Sequence, residues 1–325
     1  MEPLPPINYL RLSITDRCNL RCVYCTYWQN WQKQPAGEIL RYEELLRLAA
    51  IAAEKGIRKI RITGGEPLVR RGLVGFLHDL NRIPGIDKVC LTTNGVLLQE
   101  LAPALYNTGV RHLNVSLDTL KRDRYRQITG NDNLSAVMAG LKRAASLGFH
   151  PLKINCVVLR GINDDEILAI AQLAREHPLQ VRFIELMPTT SQTWWQRHYL
   201  SMAEVRQRLA VLGPLEPLIR ETAAGPARNF RVPGFQGELG FISPMSGHHC
   251  HTCNRLRLSS DGKIRPCLLR PQGLDLKEPL RQGCSDDFLG ILFQEAIQLK
   301  HRKTGNSLAC SGSCFHDLSM VSIGG

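Results

Sequence analysis

Six short β-rich runs, at residues 9–15, 59–63, 88–92, 112–117, 152–159 and 181–186, are separated by amphipathic stretches such as 42–54, 73–81, 134–147 and 165–176. Alternation of this kind builds βαβ units on a parallel sheet. Six units make a partial, TIM-like (βα)6 barrel in the α/β class rather than a closed eight-stranded one. In such barrels chemistry gathers at the C-terminal ends of the strands. Polar or glycine-rich segments fall at or just after four of these ends: Thr63-Gly64-Gly65-Glu66-Pro67, Thr92-Thr93-Asn94-Gly95, Ser116-Leu117-Asp118 and Glu185-Leu186-Met187-Pro188. Any one of them could be a plain turn; four together mark a shared site. After about Trp194 the rhythm fades, and residues 213–240, rich in Gly and Pro, read as loop with short strands. The expected division is a barrel over residues 1–235 and a C-terminal region, 236–325, that closes the barrel mouth.

A chain of 325 residues, 43% of them hydrophobic, can bury the core such a barrel needs. No apolar run is long enough to span a membrane. Met1-Glu2-Pro3-Leu4-Pro5-Pro6 has neither a basic flank nor an apolar stretch, so no signal peptide is expected and the protein reads as cytoplasmic. In that compartment eleven cysteines are metal ligands or buried thiols rather than disulfides. Cys90 and Cys156, alone in apolar stretches, read as buried core thiols; Cys284, Cys310 and Cys314 are ambiguous. The formal charge of +12 favours an anionic partner. The basic residues come as singles and pairs rather than as a tract, so a small polyanion fits as well as nucleic acid, which is not demanded.

Two cysteine sets carry the chemistry. Cys18, Cys22 and Cys25 form C-x3-C-x2-C directly after the first strand. Three thiolates this close can hold three irons of a [4Fe–4S] cube and leave the fourth open to a ligand. Zinc is the alternative, but a structural zinc site is closed by four ligands and no fourth is evident nearby. Cys250, Cys253 and Cys267 form C-x2-C-x13-C. Here a zinc ribbon completed by His248, His249, His251 or Cys284 competes with a second cluster that has an open iron.

The first motif, with Tyr24 between two of its cysteines and Gly64-Gly65-Glu66-Pro67 after the second strand, resembles the radical S-adenosylmethionine (SAM) superfamily. The second, Cys-Asn-Arg-Leu-Arg-Leu followed by Asp261-Gly262-Lys263 and Cys267, together with the terminal Ile323-Gly324-Gly325, resembles the GTP 3',8-cyclase family of molybdenum cofactor biosynthesis. The resemblance runs from Arg11 to Gly325. Two positions depart from the family pattern: Thr26-Tyr27 stands where Met-Pro is common, and His249 where an aromatic precedes the cysteine.

The resemblance implies two [4Fe–4S] clusters, one on Cys18, Cys22 and Cys25, the other an auxiliary cluster on Cys250, Cys253 and Cys267. It assigns SAM contacts to Tyr24, Gly65, Ser116 and Met187. It assigns GTP contacts to Arg11, Arg61, Thr92, Lys153, Arg255, Leu256 and Arg257, with Arg255 and Arg257 also in catalysis. The implied reaction abstracts the ribose 3'-hydrogen of GTP and joins that carbon to guanine C8. The implied partners are GTP, an external electron donor and a downstream cyclic pyranopterin monophosphate synthase, with no membrane; a homodimer is compatible. The rival readings are another two-cluster radical SAM enzyme, such as a peptide maturase, and a zinc-stabilised nucleic-acid-binding protein.

Overall fold

In the computed structural model, residues 5–25, 32–219, 225–247, 252–268, 273–302 and 320 are described. The strands are β1 (Tyr9–Ser13), β2 (Lys59–Thr63), β3 (Lys88–Thr93), β4 (His112–Ser116), β5 (Leu152–Val158), β6 (Gln180–Glu185), β7 (Glu216–Pro217), β8 (Arg228–Arg231), β9 (Glu238–Ile242), β10 (Arg255–Leu258), β11 (Lys263–Arg265) and β12 (Leu274–Asp275). The helices are α1 (Tyr42–Glu54), α2 (Leu73–Leu80), α3 (Leu98–Asn107), α4 (Arg122–Thr129), α5 (Leu134–Ser146), α6 (Ile167–Glu176), α7 (Gln192–His198), α8 (Met202–Leu209), α9 (Lys277–Arg281) and α10 (Asp286–Arg302). Among the described residues no helix is long and apolar enough to cross a membrane.

All six expected strands form and pair in parallel, in the order β1-β2-β3-β4-β5-β6. The parallel run then continues at both ends, because β10 joins β1 and β9 joins β6, each in parallel. The stretch beyond residue 235 therefore lengthens the sheet itself. Antiparallel β11 and β12 cap one edge, and β8 and β7 cap the other. The sheet ends at β12 and β7, so the barrel stays open among the described residues.

Strand alternation divides the sheet into two faces. Leu10 and Leu12, Ile60 and Ile62, Leu91, Leu113, Ile154, Val181 and Leu256 are buried in one apolar core with the helices. The side chains between them point to the other face. Phe183 and Phe241 stack at 6.2 Å between ring centroids, seating β9 on β6. Helix α8 lies in the stretch expected to lose its rhythm. Its start is legible after the fact, as Ser201 Oγ accepts the Glu204 amide (3.3 Å) while Glu204 reaches back to the Ser201 amide (3.2 Å).

Cutting the chain after residue 235 would uncover the edges of both β1 and β6 and leave β8 without β9. A fragment of residues 1–235 is expected to aggregate on size exclusion and to lack a cooperative thermal transition. A monomeric fragment melting with the full chain would show that the two added strands contribute nothing to stability.

Candidate active site

The chain leaving β1 is locked to the turn after β2. The Gly65 amide donates to the Thr15 carbonyl (2.7 Å) and the Glu66 amide to the Arg17 carbonyl (2.7 Å). The approach is so close that a Cβ on Gly64 would lie 2.6 Å from the Thr15 oxygen, and one on Gly65 2.3 Å from the Arg17 oxygen. Only glycine fits there. Glu66, 1% exposed, accepts the Asn94 amide (2.6 Å), the Thr93 hydroxyl (2.7 Å) and the Leu68 amide (3.0 Å). Burial lifts its pKa to about 7. Glu66 thus pins the ends of β2 and β3 together beside Cys18.

The cysteine loop is further held by Arg21 and Val23, whose amides donate to the Thr129 and Ile128 carbonyls (2.8 and 2.9 Å). Burial is the main cause that raises Cys18 to about 11 and Cys25 to about 12 and lifts Cys22 well above the usual thiol range. The negative charge of the other thiols adds to the effect at Cys22 and Cys25, as does Asp118. The Tyr24 hydroxyl donates to Asp118 (2.6 Å), which also accepts the Val157 amide (2.8 Å). Burial raises Asp118 to about 6. The Tyr24 carbonyl accepts the Thr189 hydroxyl (2.6 Å), two residues beyond Met187. Gly65, Ser116 and Met187 thus stand at the C-terminal ends of β2, β4 and β6, with Tyr24 on the loop tied to the last two strands through Asp118 and Thr189.

The inner face of the sheet is polar and cationic. Register places Arg257, Arg11 and Arg61 side by side on β10, β1 and β2, and one step along, Thr92, Asn114 and Lys153 side by side on β3, β4 and β5. Arg61, 4% exposed, donates to the Tyr9 hydroxyl (2.7 Å). Burial, opposed by Tyr9 but reinforced by Arg61 and Arg255, brings Arg11 down to about 10. Burial followed by Arg11 and Arg255 puts Arg257 well below its ordinary value. Burial and then Arg182, Arg61 and Lys59 lower Lys153 to about 7. Such mutual depression marks a field of like charges awaiting anions.

Sequence reasoning missed Arg182 on β6, which burial and Arg61 hold down to about 10, and the orphaned atoms around it. Arg182 Nε, Asn114 Oδ1 and Asn155 Oδ1 are buried without a hydrogen-bond partner among the described residues. The usable signal was period-two polarity inside runs read only as strands. The Leu256 side chain is fully buried in the apolar core, on the opposite face from Arg255 and Arg257, so it is the Leu256 backbone that borders the cationic set. Cys90 and Cys156 are both buried, as expected; Cys90 stands on the inner face of its strand, in register with Arg61 and His112, and Cys156 in the apolar core.

Of the second cysteine set, Cys253 and Cys267 are described; Cys250 and the neighbouring His248, His249 and His251 lie outside the described residues, as do Cys310, Cys314 and Ile323-Gly324-Gly325. Burial opposes ionisation of Cys253, but Arg255 and Lys300 outweigh it and bring the thiol down to about 6. Cys267 lies within the field of the same Arg255. Cys284 is elsewhere. It precedes α10, whereas Lys300 is near that helix's far end, roughly 20 Å away along the axis. Cys284 is thus excluded as a fourth ligand beside Cys253. Met320 stands at the first cysteine loop, where its amide donates to the Cys25 carbonyl (3.2 Å).

Residues 12–174 match the radical SAM superfamily, and residues 179–306 match the molybdenum cofactor synthesis C family. The chain is similar to the GTP 3',8-cyclase of Pelotomaculum thermopropionicum, with 50% identity over 90% of this chain and 91% of that protein. It is 46% identical to the GTP 3',8-cyclase of Geobacter sulfurreducens over 98% of this chain and 97% of that protein. Among solved structures it resembles Streptococcus suis SuiB bound to S-adenosylmethionine, at a TM-score of 0.59 and 16% identity, covering 96% of this chain and 71% of that one; this likeness is one of fold. With both halves matched, and relatives of 46–50% identity covering at least nine-tenths of either chain, the protein belongs to the GTP 3',8-cyclase family of the radical SAM superfamily.

Proposed function

We propose that this protein converts GTP to 3',8-cyclo-7,8-dihydroGTP in molybdenum cofactor biosynthesis, holding the triphosphate on the inner arginine face and SAM beside the loop of Cys18, Cys22 and Cys25. The observation that carries this reading is the row of Arg257, Arg11 and Arg61 on three adjacent strands, the middle one leading straight into the cysteine loop. A triphosphate carries the negative charge and the closely spaced oxygens that suit such a row of guanidinium groups. Arg182, with its buried unpaired Nε, joins the same task.

The residues present fit an iron–sulfur cluster. Buried thiols that discourage one another's ionisation need a compensating positive group, which iron supplies. When bound, the cluster and SAM supply the one-electron cleavage of SAM and the radical that abstracts the ribose 3'-hydrogen. The chain supplies placement. Gly65, Tyr24, Ser116 and Met187 would hold SAM, with Gly64 and Gly65 letting the turn pack on the cysteine loop and Asp118 and Thr189 fixing Tyr24. Cys250, Cys253 and Cys267 would hold a second four-iron cluster, with Arg255 and Lys300 keeping Cys253 in its ligating form. An external donor provides electrons, cyclic pyranopterin monophosphate synthase takes the product, and the work is cytoplasmic.

Anaerobic reconstitution is expected to load about eight irons. Cys22→Ser should lower 5'-deoxyadenosine release at least ~100-fold. Cys253→Ser should spare part of that release while abolishing cyclised product. About four irons with one tightly held zinc would remove the second cluster from this account.

Lys153 generates a pH dependence. Its free-state pKa of about 7 rises when the triphosphate neutralises its neighbours, so GTP binds with uptake of a proton. Affinity is therefore greatest below pH 7 and falls as pH rises from 7 toward 9. Lys153→Arg keeps its charge across that window and should flatten the profile. Calorimetry of GTP binding in buffers of different ionisation enthalpy checks both slope and proton count; equal slopes for the two proteins would exclude Lys153 as the linked group.

A further inference from the structure

Against the first cysteine loop lies a groove of about 340 Å³ whose lining includes none of the inner-face arginines and which the function above does not use. Its walls are Val23, Ile128, Ile162 and Trp194, with Arg197 and His198 at the edge. Val23 sits between Cys22 and Tyr24, so the groove touches the loop carrying all three N-terminal cysteines. The two neighbours face different ways, since Tyr24 sends its hydroxyl inward to Asp118 while Val23 lines the groove. Arg197 lines the groove, and two further exposed arginines are close to the lining in the chain, Arg21 two residues before Val23 and Arg126 next to Gln127 on α4; among the described residues none of the three makes an ion pair within 4 Å.

The acids on the surrounding elements are already engaged: Asp132 with Arg122, Asp165 with Lys121 and Arg124, Glu204 with Arg160, and Asp164 with Arg208. Asp123 on α4 is the exposed acid not so engaged. An apolar recess lined by one exposed arginine, with two more on the neighbouring loop and helix, has the make-up of a small transient protein interface steered by charge.

We infer that this groove is the docking surface for an acidic one-electron carrier protein that reduces the N-terminal cluster. The inference rests on the radical SAM reading. In each transfer the carrier is oxidised by one electron and the cluster reduced by one. Docking against the loop lets the electron arrive without opening the inner face, where water would intrude on the radical. A second copy of this chain is a poor occupant, because a protein of net charge +12 opposes itself at these arginines. The modest area suits the brief, weak encounters of electron transfer.

The test uses the reconstituted full-length enzyme with two acidic probes, a flavodoxin and a small ferredoxin. Calorimetry reads the affinity of each oxidised carrier, and 5'-deoxyadenosine release is followed with the reduced carrier or with dithionite. For the R126E/R197E double variant we expect carrier affinity to fall about tenfold and its salt dependence to flatten, with dithionite-driven release unchanged. Ile162→Glu, which fills the recess with a charge matching the carrier's, should have the same two effects. Unchanged carrier affinity in both variants overturns the proposal, as does an equal loss with dithionite or a failure of both carriers to bind the unmodified enzyme. A change in oligomeric state that leaves carrier affinity intact would reassign the groove to a second copy and also overturn it. Absence of dithionite-driven SAM cleavage in the unmodified enzyme would instead strike the radical SAM reading itself.

Discussion

Arg257, Arg11 and Arg61 stand at one level of three adjacent parallel strands, and the site is built around the positive charge they crowd together. Tyr9 offsets that charge at Arg61, while neighbouring arginines add to it at Arg11 and Arg257. Adjacent strands lie only about 4.8 Å apart, so three guanidiniums share a narrow front. Two of the three are at most 7% exposed. Water cannot fully screen charges held this way, and burial together with neighbouring cations depresses Arg11, Arg257, Arg182 and Lys153 alike. The apolar core on the opposite face holds the strands in place against this repulsion. A ligand rich in negative charge would relieve it, which is the electrostatic basis for the triphosphate seat proposed above.

The two cysteine environments have opposite electrostatics. Around Cys22 and Cys25 the nearby charges are thiols and Asp118, so ionisation is discouraged until a cation arrives. Around Cys253 the nearby charges are Arg255 and Lys300, so the thiolate forms readily. Arg255 also belongs to the strand that carries Arg257. The C-terminal cysteines and the inner-face arginines are therefore coupled through one side chain, and loss of Arg255 would disturb both.

Carboxylates buried at strand ends act here as ties rather than as proton carriers. Glu66 joins the ends of β2 and β3. Glu185, at the end of β6, accepts the Met202 amide (3.0 Å) and the Met245 and Ser246 amides (2.9 and 3.0 Å), linking α8 to the chain that runs toward the second cysteine set. Glu166 accepts the Thr119 hydroxyl (2.6 Å) and the Leu120 amide (2.8 Å) beyond β4. Each tie fixes a loop that carries, or abuts, a residue of the site, so the mouth of an open barrel is held by polar bonds where a closed sheet would have used strand pairing.

The sequence by itself determined the parallel sheet, the six strands and the two cysteine sets, because βαβ periodicity and ligand spacing are local patterns that survive without a partner. It also carried Gly64 and Gly65, although not the reason for them, which is a carbonyl of another segment standing 2.3 Å from where a side chain would begin. Only the tertiary structure decided that β9 and β10, from the far end of the chain, would extend the same sheet. Short strands have no signal for which edge they join. The same holds for face: Leu256 looked like one of three consecutive site residues, but the two-residue period of a strand sends it into the core while Arg255 and Arg257 turn inward. Arg182 was invisible for the matching reason, since a polar residue inside a β-rich run shows its role only when register sets it beside Asn155.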